Sequence, residues 1–165
     1  MKHSHYTLAL ELGAQLKSAG LTVSCAESCT GGGIAHAITA VPGSSTWFDM
    51  GFVTYSNASK ASLLAVSPDI LERYGAVSEA VVSAMAEGAC SRAGADIAVS
   101  VSGIAGPDGG SIDKPVGTVW LAWAGFKGVK TLCCQFDGDR EEVREQAITV
   151  GLEGLLGYGK KSFTV

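Results

Sequence analysis

Two glycine-rich segments, each directly after an apolar run, constrain the fold of this chain more than any other feature. The first covers residues 27–33 and ends in three consecutive glycines, and the second covers residues 102–110. Glycine weakens helices and strands, so such clusters mark places where the backbone turns sharply or is approached closely. In open α/β sheets, ligands bind beyond the carboxyl ends of the strands. The two segments therefore predict a layered α/β fold with a ligand site at one edge of its sheet.

The spacing of apolar residues predicts helices that alternate with strands. Leu8, Leu12 and Leu16 recur at helical spacing, and Gly20 follows them as a helix end. The predicted helices cover residues 6–19, 31–40, 57–65, 70–74, 78–93 and 139–156, and the predicted strands cover 21–25, 48–55, 97–101, 116–124 and 129–136.

Polar residues predict where three of these helices begin. Asn57 and Ser78 are candidate N-caps, and Asp139 with Glu142 forms a candidate capping box. The last two strands are close enough in sequence to form a hairpin, and residues 157–165 are expected to be a tail. The whole pattern predicts a single three-layer α/β domain over residues 1–165, with its core at about 6–156. Its sheet is expected to be mixed and mostly parallel, with helices on both faces.

Charge and hydropathy exclude several classes of protein. Apolar residues make up 47% of the chain and charged residues 17%, a balance that excludes intrinsic disorder. The net charge of −4, without a basic block, argues against binding to nucleic acids or to anionic membranes. No apolar run approaches the roughly 18 residues of a membrane span, and the polar N-terminus is unlike a signal peptide. We therefore expect a cytoplasmic protein.

The cysteines indicate free thiols rather than disulfides or a metal site. The chain has five cysteines, an odd number, with no CxxC pair and no histidine at zinc-like spacing from them. We therefore expect no bound metal. The small share of charged residues, with many small apolar ones, favours a homo-oligomer.

The first glycine-rich segment is a candidate anion or oxyanion site. Unpaired N–H groups at the start of the following helix carry the positive end of its dipole, and glycine allows close approach to them. Ser28 and Thr30 add hydroxyl groups at the same place. The alternative is an ordinary capped helix with Ser28 or Thr30 as its N-cap. The segment matches neither GxxxxGK[ST] nor GxGxxG, which argues against an ATPase or a dinucleotide-binding protein.

The second glycine-rich segment could form another anion-binding nest of backbone N–H groups. The alternative is a plain connection with a turn at residues 107–109.

Lys60 is a candidate base. If Asn57 caps the helix, Lys60 lies in the first turn, at the positive end of the dipole. That placement, with partial burial, would lower the pKa of Lys60 and favour a neutral amine, which can activate a serine hydroxyl. The alternative is a solvated surface lysine, and no periodicity places Lys60 near Ser28.

Six motifs carry a family resemblance. In chain order they are AESCTGG at 26–32, YSN at 55–57 with Lys60, GAVSE at 75–79, SGIAGP at 102–107, KPVGTV at 114–119, and GDR at 138–140 with Val143 and Arg144. Over about residues 6–156 the chain resembles the CinA C-terminal domain family, the nicotinamide-nucleotide amidases. Some members carry a further N-terminal, molybdopterin-binding-like domain with pyrophosphatase activity, and this chain resembles the stand-alone form.

The resemblance implies hydrolysis of the carboxamide of nicotinamide mononucleotide to nicotinate mononucleotide and ammonia, in pyridine-nucleotide salvage and without a cofactor. By position, Ser28 matches the nucleophile, Lys60 its base, and Tyr55 a site tyrosine that orients the amine or relays a proton. Ser78 matches a family motif but is also a candidate helix cap, and Glu27 is either structural or supports the site. Two alternatives stay open: an inactive nucleotide-binding or regulatory paralogue, and a purely structural partner protein.

The same resemblance places the charged parts of the substrate. Backbone N–H groups at Thr30, Gly31 and Gly32 are the expected donors to the oxyanion. The expected phosphate anchors are Ser102, Gly103, Ala105, Gly106 and Arg140. For Arg140 the alternative is an exposed residue in the first turn of the last helix.

Overall fold

The computed structural model describes residues 1–160, in which helices and strands alternate as the sequence predicts. The helices are α1 (His3–Ala19), α2 (Gly33–Thr39), α3 (Asn57–Leu64), α4 (Pro68–Tyr74), α5 (Glu79–Ala93) and α6 (Arg140–Gly159). The strands are β1 (Val23–Glu27), β2 (Phe52–Val53), β3 (Ile97–Gly103), β4 (Thr118–Gly125) and β5 (Gly128–Gln135).

The strands form one mixed sheet in the order β2-β1-β3-β4-β5. β1 pairs in parallel with β2 and β3, whereas β4 pairs antiparallel with β3 and β5. β4 therefore runs alone against the direction of the other strands. The predicted mixed, mostly parallel sheet with a terminal hairpin is confirmed.

Helices cover both faces of the sheet, as predicted. On one face, α1, α2 and α6 pack on a core that includes Leu12, Ile34 and Leu152. On the other face, α3, α4 and α5 pack on a smaller core that includes Leu64 and Met85. Successive residues of β3 alternate between these two cores, which is the pattern of a strand buried on both sides.

Most helix and strand boundaries differ from the prediction by one to three residues; α1, for example, begins at His3 rather than at residue 6. β1 begins two residues later than expected because Thr22 is held before it, where its N–H and hydroxyl both donate to the Asp96 carboxylate. β2 covers only Phe52–Val53 rather than residues 48–55, since Phe48 makes an isolated bridge to Val23 instead. The expected tail from residue 157 is wrong for its first residues, because α6 continues to Gly159; the rest of that tail, residues 161–165, lies outside the described residues.

The helix caps are mostly as expected. Ser78 caps α5, and Asp139 with Glu142 forms the predicted capping box of α6. Asn57, however, is not the cap of α3: the hydroxyl of Ser56 accepts the N–H of Ser59, so the cap lies one residue earlier than predicted and Asn57 is the first residue of the helix.

The helices and the potential metal ligands of residues 1–160 show neither a membrane span nor a metal cluster. Within residues 1–160, no helix has the length and apolar character needed to span a membrane. In the same range, no cluster of three or more His, Cys, Asp or Glu side chains is arranged to hold a metal ion. All five cysteines are free thiols.

Candidate active site

The parallel pairing of β1 with β3 brings the two glycine-rich segments together. Glu27 lies opposite Val101 in the sheet, and the N–H of Ser28 donates to the carbonyl of Val101 at 3.0 Å. Both segments therefore leave the same edge of the sheet from adjacent strands. Ser28 and Ser102 follow these paired positions, and both side chains are buried.

Lys60 reaches Ser28 from α3. Its amine is almost completely buried, with 1% of the residue exposed. The Nζ atom lies 3.1 Å from the Oγ of Ser28, 2.8 Å from the carbonyl oxygen of Thr54 and 3.3 Å from that of Tyr55. The structure thus brings together the two residues that sequence spacing alone could not connect.

The environment of Lys60 favours its neutral form. Burial lowers the pKa of Lys60 below its usual value of 10.5. Within residues 1–160, no carboxylate lies close enough to form an ion pair with this amine. A neutral amine has two N–H donors and one lone pair, which match the carbonyls of Thr54 and Tyr55 and the O–H of Ser28. The arrangement can therefore accept a proton from Ser28.

A close backbone contact fixes the position of α3. Gly88 of α5 packs on the carbonyl of Leu64 at the end of α3, where an added Cβ would lie 2.2 Å from the carbonyl oxygen. On the other side, the N–H of Thr54 donates to the carbonyl of Glu27 at 2.8 Å. The distance between Lys60 and the end of β1 is thus set by main-chain contacts.

The free N–H groups of the turn after Ser28 are not all those that the sequence predicts. Gly31 has a positive φ of 59°, and its N–H donates back to the carbonyl of Ser28 at 3.0 Å. Its N–H is therefore used within the turn. Within residues 1–160, the N–H groups of Cys29, Thr30 and Gly32 have no acceptor. Of the three predicted oxyanion donors, Thr30 and Gly32 thus have free N–H groups, whereas the N–H of Gly31 is used within the turn.

Arg144 of α6 holds the outer side of this turn. Its Nε donates to the carbonyl of Cys29 at 3.1 Å, and its Nη2 donates to the carbonyl of Thr30 at 3.2 Å. The sequence motif contained Arg144, but no role was predicted for it. Its position four residues after Arg140 is the signal that both side chains share one face of a helix.

Glu27 caps α2, and neither Ser28 nor Thr30 does so. The N-cap position is Gly32, which has no side chain to offer. Instead, the buried carboxylate of Glu27 accepts hydrogen bonds from the α2 backbone and from the hydroxyl of Thr30. The alternative in which Ser28 or Thr30 serves as the helix cap is therefore wrong.

Arg140 connects the second glycine-rich segment to Tyr55. Its Nη1 donates to the carbonyl of Gly106 at 2.7 Å, and its Nη2 donates to the hydroxyl of Tyr55 at 3.0 Å. Tyr55 itself is 62% exposed. Its main-chain carbonyl, and not its phenol, contacts the amine of Lys60. The side chain of Tyr55 therefore lies on the outer side of the site.

The second segment forms one wall of a cavity. Gly106 has a positive φ of 85°, and a Cβ there would lie 2.5 Å from Val116, so only glycine fits. Gly103 is similarly tight against Val119 of β4. A cavity of about 470 Å³ beside this segment is lined by Ala105, Pro107, Val116, Gly138, Asp139, Arg140 and Glu141.

A second cavity, of about 320 Å³, lies between α1, α2 and α6, and Arg140 and Arg144 line it together with His5 and His36. His5 belongs to the segment predicted to be a polar N-terminus, yet it is buried and bonds Thr149 of α6 at 2.9 Å. This contact ties the first helix to the last.

Comparison with known proteins identifies the family. The sequence profile described as "CinA C-terminal domain" matches residues 5–158, nearly the whole chain.

This chain belongs to the CinA C-terminal domain family.

Relatives within the CinA family are similar over almost their full length. A protein of Enterobacter agglomerans named nicotinamide-nucleotide amidohydrolase PncC is 62% identical over 152 residues, which cover 92% of this chain and 93% of that protein. A protein of the same name from Escherichia coli K12 is 54% identical, with 90% of each chain covered. The competence/damage inducible protein CihA of Agrobacterium tumefaciens has a similar structure, with a TM-score of 0.93, 42% identity and coverage of 97% of this chain and 98% of its own. The resemblance seen in the six sequence motifs is confirmed.

Proposed function

We propose that this chain hydrolyses the carboxamide of nicotinamide mononucleotide, with Ser28 as nucleophile and Lys60 as general base. The observation that carries the proposal is the buried amine of Lys60, 3.1 Å from the hydroxyl of Ser28 and without a carboxylate partner within residues 1–160. The names of the close relatives give the reaction class and the substrate class, a nicotinamide nucleotide. Serine paired with a neutral lysine supplies the nucleophile that such an amide needs.

Acylation is the first half of the proposed reaction. Lys60 takes the proton of Ser28 as the Oγ attacks the carboxamide carbon, and the carbonyl oxygen becomes an oxyanion. The free N–H groups of Cys29, Thr30 and Gly32 are the donors available to this oxyanion, and one such donor typically contributes about 2.7–4 kcal/mol. Lys60 then gives its proton to the leaving nitrogen, and ammonia departs from the acyl-enzyme.

Deacylation repeats the same proton transfers with water. Lys60 takes a proton from a water molecule, whose oxygen attacks the acyl carbon. Collapse of the second intermediate breaks the bond to Ser28, which recovers a proton from Lys60. The products are nicotinate mononucleotide and the free enzyme.

Arg140 and the second glycine-rich segment are the proposed anchors of the substrate phosphate. Arg140 already lies against Gly106, and its guanidinium can bind two phosphate oxygens at once. Ser102, Gly103 and Ala105 complete the segment beside it. The hydroxyl of Tyr55 accepts a hydrogen bond from Arg140, and we assign it no proton transfer to Lys60.

Ammonia release from nicotinamide mononucleotide by the purified protein tests this function. We expect steady release by the wild type and at least a roughly thousandfold lower rate for Ser28→Ala that still folds. Ser91→Ala, an exposed serine of α5, is the matched control and keeps the wild-type rate. Full activity of Ser28→Ala would reject the nucleophile. Tight nucleotide binding by calorimetry without any product would favour an inactive nucleotide-binding paralogue.

We also propose that the protein is cytoplasmic and forms a homo-oligomer. Five free thiols fit a reducing compartment. Ile112, which is fully exposed, and Val53, which is half exposed, are apolar side chains of the kind that a subunit interface covers. Light scattering on the purified protein gives the oligomeric state directly, and a monomeric mass would reject it.

A further inference from the structure

Glu27 is a buried carboxylate that contacts the turn and helix beside Ser28. It is the last residue of β1 and is 0% exposed. Its Oε2 accepts the hydroxyl of Thr30 at 2.5 Å and the N–H of Ile34 at 3.1 Å, and its Oε1 accepts the N–H of Ala35 at 2.9 Å. No Lys, Arg or His within residues 1–160 forms an ion pair with it. The carboxylate is thus stabilised by hydrogen bonds from the turn and the start of α2.

This form of capping differs from that of the other capped helices. α3, α5 and α6 are each capped by the side chain at their own N-cap position, namely Ser56, Ser78 and Asp139. α2 instead uses a carboxylate from the preceding strand, which is buried at a substantial cost in desolvation. The N-cap position of α2 offers no such side chain, because Gly32 has a φ of 97°, where a serine would be strained. Glu27 therefore supplies the missing cap, and its carboxylate also accepts the hydroxyl of Thr30 within the turn itself.

The turn between β1 and α2 is held from two sides. Arg144 binds the carbonyls of Cys29 and Thr30 from α6, and Glu27 binds the hydroxyl of Thr30 from β1. In a planar trans peptide, the C=O and N–H groups point in opposite directions. When Arg144 holds the carbonyl of Cys29, the N–H of Thr30 is directed away from Arg144. Glu27 then fixes the same residue through its side chain.

We propose that Glu27 is a positioning residue for amide hydrolysis, which acts through the hydroxyl of Thr30 to hold the free N–H groups of the turn in place for the oxyanion. The proposal rests on the proposed function of Ser28 and Lys60. Glu27 is fully buried and is not expected to touch the substrate. Its contribution appears in the transition state, because donors displaced by about 1 Å lose much of their effect on the rate.

Steady-state kinetics of ammonia release separate this role from simple folding. Glu27→Gln keeps the size of the side chain but replaces one carboxylate oxygen with an NH2 group. An NH2 group cannot accept the hydrogen bonds that the carboxylate receives from Thr30 and from the start of α2. We expect its kcat to fall about 10- to 100-fold while KM changes less than about threefold. Thr30→Val, which removes the hydroxyl, is expected to lower kcat about tenfold, and Thr30→Ser is expected to restore it. Because Glu27 acts through Thr30, the double variant Glu27→Gln/Thr30→Val is expected to be no slower than Glu27→Gln alone.

Ser78→Ala is the matched control for loss of a cap. It removes the cap of α5 and is expected to lower the melting temperature without changing kcat. A folded Glu27→Gln protein with wild-type kcat would overturn the proposal. A double variant Glu27→Gln/Thr30→Val whose fall in kcat equals the product of the two single falls would also overturn it. If Glu27→Gln does not fold, the comparison of Thr30→Val with Thr30→Ser decides: equal kcat values for these two variants would overturn it.

A second readout keeps this proposal distinct from the proposed function. If the wild type releases no ammonia from nicotinamide mononucleotide, the proposed function fails. In that case, the rate at which phenylmethanesulfonyl fluoride modifies Ser28 is measured by intact mass in the wild type and in Glu27→Gln. Modification at least about tenfold slower in Glu27→Gln than in the wild type supports positioning by Glu27. Equal rates, or no modification of Ser28 in either protein, would overturn it.

Discussion

The amine of Lys60 and the hydroxyl of Ser28 are 32 positions apart in sequence and 3.1 Å apart in the structure. The contact is made inside the protein, where α3 is held by main-chain contacts to α5 and to the end of β1. An uncharged amine in this position can donate to the two carbonyls and accept the proton of Ser28.

Replacement of Lys60 is expected to remove activity whether or not positive charge is kept. Lys60→Arg retains a cation but cannot accept a proton, and Lys60→Met retains only the volume. Both are expected to lower kcat about a thousandfold or more in the ammonia assay, and the double variant with Ser28→Ala is expected to lose little further. Lys130→Met, at an exposed lysine of β5, is the control. Substantial activity in Lys60→Arg would contradict a role as base.

The pH dependence of activity and of stability should both report Lys60. Burial lowers its pKa in the folded protein, so kcat/KM is expected to fall as pH drops below that lowered pKa, where the amine is charged. Between that pKa and the ordinary 10.5, the unfolded chain binds more protons at this site than the folded one. The free energy of unfolding therefore rises with pH in this window. Urea unfolding at several pH values should show a smaller rise for Lys60→Met than for wild type; identical slopes would be evidence against a lowered pKa.

Loss of the Tyr55 hydroxyl is expected to have only a small effect on chemistry. The amine of Lys60 contacts the main-chain carbonyl of Tyr55, which Tyr55→Phe keeps, and within residues 1–160 the one side-chain hydrogen bond of the phenol comes from Arg140. We expect kcat within about threefold of wild type and a modest rise in KM, since one neutral hydrogen bond contributes about 1 kcal/mol. A hundredfold fall in kcat would instead indicate that the phenol relays a proton.

Arg140→Lys tests the phosphate anchor. A lysine cannot form the bidentate hydrogen bonds of a guanidinium with phosphate, so KM for nicotinamide mononucleotide is expected to rise about tenfold or more with little change in kcat. Nicotinamide riboside, which lacks the phosphate, should show no such difference between the two proteins. Arg92→Lys, an exposed arginine of α5, is the control. Equal sensitivity with both substrates would place the phosphate elsewhere.

Gly88→Ala is expected to destabilise the fold and to disturb the site. A Cβ at Gly88 would meet the carbonyl oxygen of Leu64 at 2.2 Å, so α3 and α5 must separate, at a cost of about 1–3 kcal/mol. Gly157→Ala is the matched control in α6, where a Cβ meets nothing within 4 Å and should stabilise the helix by about 0.5–1 kcal/mol. Chemical denaturation of both variants measures the difference. Equal stabilities would show that the α3–α5 contact adapts freely.

Features set by neighbouring residues were predictable from the sequence. The capping box at Asp139 and Glu142 and the cap at Ser78 are encoded within four residues, and both are confirmed. The order of helices and strands follows from the period of the apolar residues, and parallel strands joined through helices then follow from the geometry of the chain. These local rules also place both glycine-rich segments at strand ends.

Features that depend on distant contacts were not predictable from spacing. Nothing local distinguishes Lys60 from a surface lysine, because its burial is created by α5 and β1. The cap of α2 was missed because Glu27 reaches it from the preceding strand rather than from the N-cap position. The free N–H groups of the turn differ from expectation because residues 28–31 form a turn in which the N–H of Gly31 donates to the carbonyl of Ser28.

Both arginines of the site come from α6, the last helix of the described chain, which packs along α1 through His5. A nascent polypeptide that has emerged only as far as residue 139 already contains the serine, the amine and both glycine segments, but it has no guanidinium at the turn or beside Tyr55. The proposed site is therefore complete only after α6 has docked on α1, so its assembly depends on the long-range contact between these two helices.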